Sequence, residues 1–390
     1  MTRSHRLSAL AVVTALALTA AACGDDDADT APTDPPPTDT SPEPTDPPTD
    51  TQAPEPTDPP TDTQAPEPTD PPATDPPAAD GTLTVYSGRN EGLVSGLIEQ
   101  FEADTGIDVD VRYGSSAEMG AALMEEGGNT PADVFFSQEV GALGMLAKAD
   151  LLTSLPDEVV ALAEPRFQPS DGNYWVGVTG RSRVIVYNPD LVPEVPEGVV
   201  ELTDPQWDGK VAIVPGNAGF QAFITGFRVT QGEDAARQWL EDMMANGVVT
   251  DIESNGDVLA AVNDGELEAG LINHYYWGRL AAELGTDNMQ AQLIFPKGDD
   301  PGGLFNATAV GITNNGADNP AAVTFVEYLL STEGQTYFVE QTFEYPVVAG
   351  IADPEGFPPR SELEGPALDL TDLDSLAVTQ ALLTDLGLLS

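Results

Sequence analysis

Residues 269–277 read AGLINHYYW. Ala269, Gly270, Leu271 and Ile272 form a short apolar run, which predicts a buried strand. Residues 277–284, beginning at Trp277, then read as a helix. Tyr275 and Tyr276 therefore fall in a strand-to-helix turn. Successive residues of a strand point to opposite faces, so both rings reach one spot only where the chain turns. Open α/β sheets bind ligands beyond the carboxyl ends of their strands, beside helix N-termini. Two phenolic oxygens there suit a hard, highly charged cation, because a bound cation can lower the phenol pKa from its usual value of about 10. Ferric iron is the obvious candidate. Adjacent aromatic residues also pack cores and line apolar clefts, so the pair alone leaves both readings open.

The same alternation extends outward. Residues 83–86 read as a strand, and Leu93, Val94, Leu97, Ile98 and Phe101 as one helical face closed by Gly106. Residues 107–113 alternate as a strand, 116–126 read as a helix, 133–137 as a strand and 140–148 as a helix. The rhythm resumes at 211–214, 220–230, 235–246, 258–262 and 269–272. This pattern predicts an α/β fold with a parallel or mixed sheet covered on both faces. Residues 81–390 supply about 310 residues, enough for two lobes with separate cores.

Residues 1–22 read as a signal peptide: Arg3 and Arg6, an apolar run over 7–18, then small residues before Cys23. Cys23 is the single cysteine. The segment Ala20, Ala21, Ala22, Cys23 resembles a bacterial lipobox, which implies cleavage before Cys23 and its lipidation; an ordinary secretory signal is the alternative. Residues 24–80 are low-complexity, rich in Pro, Thr and Asp, with the unit PEPTDPPTDTQA starting at Pro42 and again at Pro54. Such a segment has almost nothing apolar to bury and favours extended polyproline II. It predicts a spacer reaching roughly 180 Å, at about 3.1 Å per residue. With Cys23 lipidated, no thiolate remains, and His274 is the one histidine beyond the signal. Thiolate and multi-histidine metal sites are excluded. The net charge is −51, of which residues 81–390 carry 49 acidic against 12 basic residues. That sign argues against nucleic-acid binding and fits a solvated acidic surface.

Seven stretches, taken in order, resemble the ferric-iron-binding proteins of ABC importers: LTVYSGRNEGLV (83–94), ADVFFSQEVGAL (132–143), WVGVTGRSRVIVY (175–187), LTDPQWDGKVAIV (202–214), NAGFQAF (217–223), AGLINHYYW (269–277) and EYPVVA (344–349). The resemblance implies a two-lobed, type II periplasmic-binding-protein-like fold with the ligand in an interlobe cleft. It implies crossings between lobes near 181–187 and 295–305. Lobe one then comprises 81–179 plus 306–390, and lobe two 180–303. With the lipobox-like segment before Cys23, it implies a lipid-anchored, non-enzymatic monomer on the outer face of the cytoplasmic membrane, delivering iron to an ABC permease.

By the same resemblance, Tyr275 and Tyr276 are the iron ligands, with carbonate or phosphate as a synergistic anion. Asn217, Ala218, Gly219, Asn255 and Asn273 match the anion-binding positions. Read physically, residues 217–219 offer backbone N–H groups at a helix N-terminus, and Asn255 could instead cap a helix beginning near Asp257. Arg181 matches an arginine that holds carbonate in some members; a surface salt bridge is the alternative. The family's first-lobe histidine and glutamate are replaced by Asn90 and Gln138, with Glu139 adjacent and Arg89 a further cleft contact. This departure predicts few protein ligands beyond the tyrosines and keeps a second class of solute open, an oxyanion, a phosphonate or an iron chelate. His274 is expected to hydrogen-bond beside the pair.

Overall fold

The structure, a computed structural model, describes residues 81–363 and 365–389. The signal, Cys23 and the proline-rich spacer lie outside these residues. The unit Ala73–Ser390 begins with β1 (Thr82–Ser87), α1 (Glu91–Thr105), β2 (Asp108–Tyr113), α2 (Ser116–Glu126), β3 (Val134–Ser137) and α3 (Val140–Lys148). Then come β4 (Leu152–Thr153), α4 (Asp157–Val160) and the long β5 (Val176–Tyr187). The middle holds β6 (Val211–Ala212), α5 (Ala218–Gln231), α6 (Glu233–Ala245), α7 (Asn255–Asn263), β7 (Ala269–Asn273), α8 (His274–Leu284) and β8 (Gln292–Ile294). The chain closes with β9 (Phe305–Thr313), α9 (Pro320–Leu329), α10 (Thr332–Tyr337), β10 (Tyr345–Pro346) and α11 (Leu376–Asp385).

Local chemistry sets several of these boundaries. Ser115 and Glu118 close a reciprocal capping box that starts α2. Gly106 ends α1 in the left-handed region, at φ 74°, a conformation that only glycine adopts without a Cβ penalty. The strands join in the order β2-β1-β3-β9-β5-β7-β6, with β4 on β9 and β8 and β10 on β5. β5 is the hub. Its first half pairs antiparallel with β9, from Val176 opposite Val310 to Ser182 opposite Phe305. Its second half pairs with β7, from Arg183 opposite Asn273 to Tyr187 opposite Ala269. The partner changes between Ser182 and Arg183, and every residue of β5 is buried.

The apolar interior divides accordingly, as a two-lobed architecture requires. One core collects Leu83, Val85, Phe101, Phe135, Phe136, Val310 and Phe325 around β1, β3 and β9. A second gathers Ile185, Trp207, Phe220, Phe223, Trp239 and Leu271 under α5 and α6. A third, smaller cluster lies on the other face of β7, with Val184, Val186, Val258 and Ile272. The tail distributes itself over both sides. Leu370, Leu373 and Leu376 join the first core, whereas Leu382 and Leu383 of α11 join the second. α11 thus touches both cores, the first through Leu376 and the second through Leu382 and Leu383. Among the described residues no helix is long and apolar enough to cross a membrane.

Candidate functional site

β7 passes into α8 without an intervening loop, so the tyrosines occupy the first turn of the helix rather than a turn before it. Ideal helix geometry separates neighbouring side chains by about 100°, yet the Tyr275 and Tyr276 rings lie nearly parallel, with centroids 4.5 Å apart and 25° between planes. Tyr275 is 1 % exposed and packs into the first core although its helix follows β7. Tyr276 is half-buried and touches both the first and the third clusters. Burial, and after it the neighbouring Tyr276, raises the Tyr275 phenol above the ordinary tyrosine range, while Arg181 and Arg89 act in the opposite sense.

His274 is held by backbone on both ring nitrogens. Nδ1 accepts from the Ser182 N–H at 3.2 Å, and Nε2 donates to the Phe343 carbonyl at 2.9 Å. The ring also lies against Tyr345, centroids 4.7 Å apart. Burial lowers its pKa from 6.5 to about 4. With both nitrogens engaged, His274 locks α8 to β5 and to the segment before β10, the neighbouring role expected of it.

The matched anion positions lie on three helix starts. Asn217 caps α5, its side chain accepting from the Phe220 N–H at 3.2 Å. Ala218 and Gly219 open that helix. A Cβ on Gly219 would stand 2.8 Å from Asn273 Nδ2, so only glycine lets Asn273 approach the α5 terminus this closely. Asn273 holds the cap position of α8 without capping it, and its Nδ2 has no protein partner. Asn255 is fully buried, with neither side-chain atom partnered. The capping role considered for Asn255 belongs to Ser254, which accepts from the Asp257 N–H at 3.1 Å.

The first-lobe positions are otherwise employed. Asn90 is exposed and caps α1, accepting from Gly92 N–H at 3.0 Å. Gln138 donates its N–H to Ser116 Oγ at 2.8 Å, and its carbonyl accepts from Arg181 Nη2. Glu139 caps α3, with Oε2 2.6 Å from the Gly141 nitrogen. Burial raises the Glu139 carboxyl despite these backbone donors and Arg181.

Two further residues belong to the site and were not singled out from sequence. Glu344 is fully buried and takes a two-pronged hydrogen bond from Arg89, at 3.0 and 2.5 Å; Arg181 Nε stands 3.9 Å away. Burial opposes its charge, but Arg89 and Arg181 overcome that and hold Glu344 below the usual carboxylate range. Arg183 is also buried, donates to the Leu271 carbonyl at 2.7 Å and lies over the Phe220 ring. Its Nε and Nη1 have no protein partner, nor do Arg181 Nε and Nη1. Arg181 and Arg183 share one face of β5 by the two-residue period of a strand; that spacing was the available signal. Asn306, opposite Arg181 on β9, adds another unpartnered Nδ2. Arg181 is thus no surface salt bridge. Burial lowers its pKa, and the neighbouring Tyr275 and Glu344 favour its charge.

The arrangement offers phenolic oxygens next to a field of buried N–H donors. Among the described residues, no group of three or more His, Cys, Asp or Glu side chains comes together as a metal cage. A metal held here would draw on the tyrosines and on an exogenous anion.

Comparison with known proteins agrees with this layout. The family model for bacterial extracellular solute-binding proteins matches residues 96–364. An Fe(3+)-binding periplasmic protein of Serratia marcescens is 33% identical over 315 residues, covering 80% of this chain and 92% of the relative. The iron-bound HitA structure from Pseudomonas aeruginosa superposes with TM-score 0.74 at 32% identity, covering 78% of this chain and 99% of that one. A Trichodesmium protein solved with iron and citrate ligands gives TM-score 0.64 at 25% identity, over 79% and 99%. With two cores joined through β5 and β9, and with a family match spanning both, this chain belongs to the bacterial extracellular solute-binding protein family.

Proposed function

We propose that the chain captures ferric iron outside the cytoplasm and passes it to an ABC permease. Tyr275 and Tyr276 bind the metal as phenolates. An anion seats on Asn217, Ala218, Gly219, Asn255, Asn273 and Arg181. The observation that carries this reading is the stacked tyrosine pair at the start of α8 beside buried, unpartnered N–H groups. The names of the similar proteins support it: one is an Fe(3+)-binding periplasmic protein and another is an iron-bound structure. The chain works as a receptor rather than an enzyme. It is a monomer, anchored through lipid on Cys23 at the outer face of the membrane and lifted by the proline-rich spacer. Lobe one is built on residues 81–179 plus 306–390, and lobe two on 180–303. Closing the lobes over the cargo would give the permease a form to recognise.

A second reading is a receptor for an oxyanion, a phosphonate or an iron chelate. The unpartnered guanidinium and amide donors favour it, as does the neighbour solved with iron and citrate. Metal analysis after equilibrium dialysis separates the two. The unmutated chain is expected to retain one iron per molecule. Tyr275→Phe and Tyr276→Phe should each weaken retention by at least about 100-fold, beyond the roughly 10–100-fold cost of disturbing outer-shell partners. Equal retention by both variants would remove the tyrosines from the site.

A further inference from the structure

β7 has two ends, and the tyrosines follow only its carboxyl end. At the other end Ala269 pairs with Tyr187, the last residue of β5, and with Val211, the first of β6. β7 spans five residues, about 17 Å of extended chain, so this end is remote from Tyr275 and Tyr276. Residues just outside the three strands line a cavity of about 280 Å³ there. Leu191, Val192 and Pro193 give it apolar wall, and Glu194, Trp207, Lys210 and Glu268 give it polar groups. Trp207 is 3 % exposed, and its Nε1–H has no acceptor among the described residues. Two other indoles show the ordinary outcome. Trp239 Nε1 donates to the Val199 carbonyl at 3.0 Å, and Trp277 Nε1 to the Ala291 carbonyl at 2.7 Å. An enclosed donor left unmatched is costly. Lys210 Nζ meets Glu268 Oε1 at 3.0 Å with both side chains partly exposed, a pair weak enough to open toward a ligand.

The chemistry of the lining narrows what fits. The unmatched indole N–H asks for an acceptor oxygen, and the apolar wall asks for a short hydrocarbon. A plain anion would face the carboxylates of Glu194 and Glu268. A plain cation would face Lys210 and leave the indole donor unanswered. A zwitterion with a small apolar body satisfies every group. We propose that this cavity binds an aliphatic α-amino acid, a second ligand site separate from the tyrosines. The ligand carboxylate accepts from Trp207 Nε1 and Lys210 Nζ. Its ammonium donates to Glu194 and Glu268, and its side chain lies against Leu191, Val192 and Pro193. The volume is just under the range of about 300–1,000 Å³ usual for ligand pockets, which suits a ligand of this small size. The site stands independently of the ferric reading, because none of its residues lies at the tyrosine end of β7.

The test is NMR of the full chain carrying isotopically labelled tryptophan. The chain has four tryptophans, so its spectrum holds four indole N–H resonances, and Trp207→Phe identifies the Trp207 peak by its loss. The titrants are L-leucine and L-valine, with isocaproate and isoamylamine as leucine analogues lacking the ammonium or the carboxylate. At least one amino acid is expected to move the Trp207 resonance saturably and leave the other three in place. Each analogue should bind at least about 10-fold more weakly, the worth of one hydrogen bond to a charged group. Lys210→Gln, a change at a partly exposed side chain, should weaken the amino acid by a similar factor. No movement with either amino acid, analogues that bind as tightly as leucine, or unchanged affinity in Lys210→Gln would overturn the proposal. If Trp207→Phe does not fold, calorimetric ranking of the four titrants on the unmutated chain and on Lys210→Gln decides.

Discussion

Tyr275 and Tyr276 are neighbours in sequence but not in environment. Tyr275 is sealed into the first core, and Tyr276 bridges two clusters at its edge. The buried phenol stays protonated until a cation displaces its proton, so acid should release iron by competing for both oxygens. Around them, Arg89 and Glu344 form a fully buried ion pair. Removing one member of such a pair costs about 3–5 kcal/mol, whereas replacing both with apolar residues is often near neutral. Glu344→Gln should therefore lower stability by about 3 kcal/mol in urea unfolding, and Arg89→Met with Glu344→Leu should recover much of it. His274 gives a pH signature in the iron-free protein. Its folded pKa is about 4 against an ordinary 6.5. Because the folded value is depressed, the contribution is complete above about pH 6.5 and is lost as pH falls to about 4. The unfolded chain takes up a proton across that window and the folded chain does not. At 1.36 kcal/mol per unit this amounts to about 3 kcal/mol. Urea unfolding at pH 7 and 4.5 should show a smaller acid loss in His274→Gln than in the parent.

At the scale of elements, the helix starts carry the site. Asn217 caps α5 and, on the proposed function, also stands beside the anion at Ala218 and Gly219. Asn217→Ala should cost about 1 kcal/mol of stability, the usual worth of a cap, and should weaken anion-dependent iron retention as well. A stability loss with unchanged retention would leave Asn217 as a cap alone. The period of the apolar residues made α2 and α3 legible to the residue, 116–126 and 140–148. It did not place the start of α8, because His274, Tyr275 and Tyr276 are no better helix formers than strand formers and the strand runs directly into the helix. Asn90 carries a cap signal that sequence alone could have offered, since Asn before an apolar helical run is a usual N-cap; Glu139 caps α3 without being one of the residue types that mark a cap. Arg183 and Glu344 were harder. A charged residue is ordinarily exposed, and only the pairing of β5 with β7 and β9 around Arg183, and with β10 beside Glu344, shows that these two are enclosed.

At the scale of the whole molecule, β5, β9 and the tail connect what the cores divide. Lys148 meets Asp374 at 2.6 Å on one side. Thr379 meets Thr225 at 2.7 Å and Arg228 at 2.8 Å on the other. The α/β class was legible from the order of strands and helices, and the two-lobed architecture from the resemblance carried by the seven stretches. The double attachment of the tail was not, because leucines at 370, 373, 376, 382 and 383 read as one apolar series whichever core receives them. The acidic excess over residues 81–390, a net −37, belongs to this scale too. It repels an anionic ferric chelate and is screened over about 10 Å at 0.1 M salt. Stopped-flow loading from ferric citrate should therefore quicken as sodium chloride rises from 10 to about 200 mM. A rate that falls with salt would mean that local positive potential at the cleft outweighs the body.

Visible absorption tests the central claim most directly. The full chain is titrated with ferric citrate at pH 7 beside the Tyr275→Phe/Tyr276→Phe double variant. A saturable phenolate-to-iron band at one iron per chain, absent from a folded double variant, is the predicted result. A folded parent that develops no band, or a double variant that develops the same one, would contradict a tyrosinate ferric site.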